Sequence, residues 1–203
     1  MFFRRLCAAL LVALPLVCAG QGIDPNVPIF LVSRPGMTDP NFQDTVVLLT
    51  RHGPEGALGV IVNRPTDIPL SKVFSDEKRL AGLEDRIFFG GPVARDVVVY
   101  VFRAPLPRGD VKKLFEGVYI SSSLDLLHDL LGRDHPTEDL RVFAGLAGWA
   151  PGQLEAEIQR GDWRLVPADA HSILDAPPRS LWQEMDRRAS AITARAGTTP
   201  VLR

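Results

Sequence analysis

Histidine is the side chain that most readily moves a proton near neutral pH, and the chain has four, at His52, His128, His135 and His171. A hydrolytic reading would make His52 the base, Ser33 the nucleophile and Asp39 the orienting carboxylate. The residue types are present, but no Gly-x-Ser-x-Gly elbow occurs to raise a serine above a sheet. His52 stands where a strand enters a turn, a place that also suits a histidine hydrogen-bonded to its own fold. No catalytic residue is therefore assigned, and the hydrolase of unrecognised type, with Ser33, His52 and Asp39, is kept as an alternative. The histidines are scattered, without a His-x-x-x-His or a carboxylate cluster, so no metal site is expected. Gly56 and Gly59 are not a phosphate loop, because they feed a β-branched strand and no Lys-Ser or Lys-Thr follows. No cofactor is expected.

Binding is the other chemistry available. Three blocks place glycine or proline beside an apolar run: Gly56 to Pro65, Phe88 to Val93, and Gly148 to Ile158. The candidate ligand residues lie at such strand ends: Arg34, Asp39, His52, Asn63, Arg64, Gly90, Gly91, Trp149 and Gln153. Loops carried by a rigid sheet concentrate binding residues. The expectation is one shared cleft, with Arg34 and Arg64 favouring an anion, the Gly90-Gly91 backbone donating hydrogen bonds, and Trp149 as an apolar wall. The rival expectation is a set of turns scattered over the surface. Leu154 and Ile158 are four apart and should bury, which leaves Gln153 and Glu157 as a polar stripe beside them.

The elements that would hold these residues read as strands early and helices late. Strands are expected at Ile29 to Ser33, Thr45 to Thr50 and Ala57 to Val62, the last two as a hairpin ended by Pro65. More follow at Ile87 to Phe89, Val97 to Phe102, Val118 to Ser121, Leu140 to Leu146 and Trp163 to Val166. Leu70 to Phe74 reads as a helical turn. Ser122 or Ser123 should cap a helix through Leu131, with Leu124, Leu127 and Leu131 facing inward. Pro151 should open a helix that ends at Gly161, and a last helix from Ser180 puts Trp182, Met185, Ala189 and Ile192 on one stripe. Strands and helices do not alternate regularly. That favours a single α+β domain with a largely antiparallel sheet and peripheral helices.

Arg4 and Arg5, the apolar run Leu6 to Val17, and the small residues Ala19 and Gly20 spell a secretory signal peptide at 1–20. The domain then occupies 21–197, with a flexible tail at 198–203. The expected location is the periplasm or the medium; lipidation at Cys18 is the variant of that reading. Both cysteines, Cys7 and Cys18, fall in the leader, so the mature chain has no disulfide, Cys-bound zinc or Cys nucleophile. Without the leader Lys+Arg falls from 23 to 21 against 24 acidic residues, and formal charge moves from −1 to −3. That balance, with no dense basic block, disfavours nucleic acid as a partner. A small anionic ligand or an unidentified protein remains.

The chain resembles the YqgE/AlgH family. The resemblance rests on Ser33-x-Pro-Gly-Met-x-Asp-x-x-Phe42, Gly56 to Pro65, Gly90 to Val93 and Gly148 to Ile158, and runs from about Ile29 to about Trp182. It implies one α+β domain with a strongly bent, barrel-like sheet and no established biochemical activity. It also implies a cytoplasmic location, since typical relatives have no leader, and by name a role in transcriptional regulation. Leu146 stands where a Tyr is common and Ala150 where a Gly is common. The function expected is that of a non-enzymatic binding or regulatory interaction protein.

Overall fold

The computed structural model describes residues 27–105 and 109–196; the leader at 1–20 and the tail at 198–203 lie outside the described residues. The strands are β1 (Ile29–Ser33), β2 (Val46–Gly53), β3 (Gly56–Ile61), β4 (Pro65–Pro69), β5 (Arg86–Phe89), β6 (Val93–Arg103), β7 (Lys112–Phe115), β8 (Val118–Ser121), β9 (Leu140–Trp149) and β10 (Trp163–Pro167). The helices are α1 (Leu70–Val73), α2 (Leu124–Leu131), α3 (Gln153–Gln159), α4 (Ala170–Leu174) and α5 (Pro178–Ala196), with a 3-10 turn at Lys78–Leu80. This is an α+β domain. The sheet runs β10-β1-β2-β3-β9-β6-β8-β7, with β5 attached to β9 and β4 to β5. The two end strands do not pair, so the sheet is open and not a closed barrel. All pairs are antiparallel except β5 with β9.

The long apolar runs follow from covering the sheet on both faces. Successive strand residues point to opposite faces. Phe30 and Val32 accordingly join a core with Leu181, Met185 and Ala189 of α5, while Leu31 joins Leu154 of α3 and Trp163. In the same way Val99 and Val101 share the α5 core, and Tyr100 and Phe102 pack with Leu127 and Leu131 of α2.

β9 is the strand on which the fold turns. Its first half pairs with β6 and β5, and its last residues pair with β3. Between the halves lies Gly145, at φ +80°. A Cβ there would overlap the Gly91 carbonyl oxygen. The missing side chain lets β9 leave one group of partners and join the next.

Several expectations need correction. Pro65 does not close the preceding strand; that strand ends at Ile61, and Pro65 opens β4 opposite Phe88. A proline without an N–H is tolerated as a first strand residue. β9 continues past Leu146 because Ala57, Leu58 and Gly59 offer it a new partner strand. α3 begins at Gln153, leaving Pro151 in the turn, and α5 begins at Pro178, two residues before Ser180. Leu124, at the first position of α2, is exposed, and Leu130 fills the core instead. Ile192 is exposed too, beyond the sheet that buries Met185 and Ala189. The cap of α2 is Ser123, whose side chain accepts from Leu126 N–H.

Candidate functional site

The loop after β1 is organised by its own polar groups. Asp39 Oδ1 accepts from Asn41 N–H at 2.8 Å, and the Asp39 carbonyl accepts from Phe42 and Gln43 N–H at 3.0 and 2.9 Å. The Arg34 N–H donates to the Asp162 carbonyl at 2.9 Å and ties the loop to the entrance of β10. These bonds bring the Phe42 ring to 6.1 Å from Trp149, stacked, and 5.5 Å from Trp163, edge-on. Trp149 and Trp163 meet edge to face at 5.9 Å. Three aromatic residues thus line a cleft of about 240 Å³ between the loop, the end of β9, α3 and the start of β10.

Glu157, one turn into α3, holds the two tryptophans. Its Oε2 accepts from both indole N–H groups, each at 2.8 Å, and its Oε1 accepts from Gln153 Nε2 at 2.9 Å. Gln153 Oε1 accepts in turn from Ala150 N–H at 3.1 Å, which helps start the helix. At the rim, Arg34 Nε donates to Asp162 Oδ1 at 3.2 Å, and Arg160 Nε and Nη2 reach Asp162 Oδ2 at 3.1 and 2.8 Å. Two guanidinium groups share one carboxylate. The Arg34 Nη atoms and Arg160 Nη1 have no hydrogen-bond partner among the described residues.

Four of the nine sequence candidates, Arg34, Asp39, Trp149 and Gln153, line this cleft. The other five are not on its walls. His52 Nε2 meets Glu155 Oε1 at 2.6 Å on the outer side of α3. The Glu155 carboxyl lies below the usual range, held there by a backbone N–H and then by His52. Asn63 brackets two strands: its Oδ1 accepts from Val46 N–H at 2.8 Å and its Nδ2 donates to the Asp44 carbonyl at 2.9 Å. Arg64 donates to the carbonyls of Asn41 and Gln43, each at 2.8 Å, with its guanidinium 5.8 Å from the Phe89 ring centre. Burial lowers its pKa against the pull of Asp44 and Asp39. Arg64 therefore braces the cleft's loop without lining the cleft. Gly90 and Gly91 are buried at the β9 crossing, where a Cβ on either would overlap the backbone of β9. Gly90 N–H donates to the Ala144 carbonyl at 2.7 Å, so it is not free for a ligand.

Ser33, His52 and Asp39 are not joined by any hydrogen bond among the described residues. Ser33 is fully buried, and its Oγ accepts from Thr45 N–H at 2.9 Å. No group of three or more His, Cys, Asp or Glu among the described residues is placed to hold a metal ion. No helix among them is long and apolar enough to cross a membrane. Sequence reasoning missed Phe42, Arg160, Asp162 and Trp163 as partners in the cleft. The one usable signal was composition: Arg160-Gly-Asp-Trp163 is a charged turn ending in a tryptophan, like Gly148-Trp149 at the other wall.

An open, largely antiparallel sheet, helices on both faces and an aromatic cleft with a charged rim define this α+β domain. The chain belongs to the AlgH-like family (DUF179), whose pattern matches residues 30–193. It is 37% identical over 179 residues to a UPF0301 protein of Streptomyces coelicolor, covering 84% of this chain and 90% of that one. A UPF0301 protein of Thioalkalivibrio sulfidiphilus is 35% identical over 158 residues, covering 76% of this chain and 84% of its own. The solution structure of the AlgH protein from Pseudomonas aeruginosa is similar with a TM-score of 0.68 and 27% identity, over 91% of this chain and all of that one. A crystal structure of a Corynebacterium diphtheriae protein matches with a TM-score of 0.64 and 26% identity, over 84% of this chain and 90% of that one.

Proposed function

We propose that this protein is a non-enzymatic binding protein, exported by its leader, whose aromatic cleft takes a small ligand bearing a carboxylate or phosphate. The observation that carries the reading is the pair Arg34 and Arg160, which share the single carboxylate of Asp162 and keep unpaired N–H donors beside three aromatic rings. Guanidinium groups recognise planar anions through paired, charge-assisted hydrogen bonds. Phe42, Trp149 and Trp163 supply a flat apolar surface for the rest of the ligand. At this site the Glu157 oxygens are occupied by three donors, and Ser33 and His52 are engaged elsewhere, which supports binding over hydrolysis.

The test is calorimetric titration of the full chain with benzoate, indole-3-acetate and phenyl phosphate. Saturable binding by at least one is expected, with indole fluorescence changing in parallel. The double substitution Arg34→Gln with Arg160→Gln should weaken it by about tenfold or more. Absence of binding by all three, or binding indifferent to both substitutions, overturns the assignment. Ester, phosphate or peptide hydrolysis that disappears in His52→Ala would instead make the protein an enzyme.

A further inference from the structure

Five charged side chains line the tryptophan cleft: Arg34, Arg160, Asp39, Glu157 and Asp162. Two positive charges against three negative ones leave the wall at a formal −1. Two of the acids are spent on the protein itself. The Glu157 oxygens accept from two indoles and from Gln153, and the Asp162 oxygens from Arg34 and Arg160.

Asp39 differs from these. Its backbone carbonyl places Phe42 and Gln43, and its Oδ1 accepts from Asn41 N–H at 2.8 Å. Its Oδ2 has no hydrogen-bond partner among the described residues, and no cation among them forms an ion pair with it. Arg64, behind the loop, is attracted to Asp44 more than to Asp39. Its own donors go to the Asn41 and Gln43 carbonyls, and it does not line the cleft. Asp39 therefore presents the one carboxylate oxygen on this wall that no donor satisfies among the described residues.

A carboxylate on Arg34 and Arg160 brings one charge, which their unpaired N–H donors can meet. A phosphate monoester brings nearly two above neutral pH. The second charge finds no further cation on the wall, only the free oxygen of Asp39. Resting on the binding reading above, we infer that the cleft selects a singly charged aromatic acid over a doubly charged one, and that Asp39 sets the choice. Selectivity of this kind comes from a repulsive group facing the wrong ligand as much as from contacts to the right one. Asp39 is exposed, so solvent and salt screen its field, and the discrimination is a few-fold.

The test is calorimetric titration of the full chain with phenylacetate, phenyl sulfate and phenyl phosphate, in low salt at about pH 8, where phenyl phosphate is a dianion. Phenyl sulfate has the tetrahedral shape of phenyl phosphate and one negative charge, so this pair separates charge from shape. Phenylacetate and phenyl sulfate should bind saturably, and phenyl phosphate about fivefold more weakly than phenyl sulfate. Asp39→Asn removes the charge and keeps an oxygen for the Asn41 N–H. It should bring phenyl phosphate to within about twofold of phenyl sulfate, with a nearly unchanged melting temperature. Phenyl phosphate that binds as tightly as phenyl sulfate, or a gap that Asp39→Asn leaves intact, overturns the selectivity while the cleft stands as a binding site. Absence of binding by all three probes overturns both.

Discussion

At the scale of single residues, Glu157 shows how a carboxylate can be removed from chemistry by its neighbours. Both indole N–H groups of the cleft end on one of its oxygens, and Gln153 ends on the other. Trp149 and Trp163 are buried, so neither N–H can turn to water. Glu157→Ala should therefore destabilise the protein by about 3 kcal/mol, since two buried donors lose their acceptor. Glu157→Gln keeps an oxygen for the indoles and should cost about 1 kcal/mol. Urea denaturation followed by tryptophan fluorescence measures both, and equal effects would refute the account. Trp149 and Gln153 were legible from the sequence because their turn and helix start are local. Arg64 was not: its donors look the same whether they meet a ligand or, as here, the carbonyls of Asn41 and Gln43. Ser33 and His52 were equally opaque, because which backbone amide or carboxylate each finds depends on contacts from strand to strand and helix to strand.

At the scale of elements, most strands could be read from β-branched runs, and the α2 cap from its serines. What stayed hidden was long-range. β7 is short and carries two lysines, so it has the composition of a solvated loop and becomes a strand only through β8. α4 rests on a five-residue run capped by Asp169, whose side chain accepts from Ser172 N–H. The extent of β9 was hidden because its two halves answer to different neighbours. Gly145 makes that change of partner possible. Gly145→Ala should lose more than about 3 kcal/mol, the strain of positive φ adding to overlap with the Gly91 carbonyl. Gly161 is the control. It has nearly the same φ, +79°, with nothing within 4 Å of a Cβ, and its alanine variant should lose only about 1 kcal/mol. Chemical denaturation of the two variants separates overlap from backbone strain. Equal losses would show that the β9 crossing tolerates a side chain.

At the scale of the whole molecule, the sheet begins, among the described residues, with Ile29 of β1. β1 already sits inside the sheet, between β10 and β2, and its Phe30, Leu31 and Val32 are fully buried. Among the described residues, the core on both faces is built by strands and helices from residue 29 onward. Residues 1–20 have a different grammar: two arginines, an apolar run, then small residues. Their removal would take away Cys7 and Cys18, the two cysteines of the chain, and with them any disulfide. Protein expressed from Gln21 should therefore melt at the same temperature as the full chain, with and without reductant. In the native host the exported fraction should have an intact mass that begins just after Ala19 or Gly20. A soluble cytosolic protein that keeps Met1, or a melting temperature that falls by several degrees without residues 1–20, would show that the leader belongs to the fold and not to export.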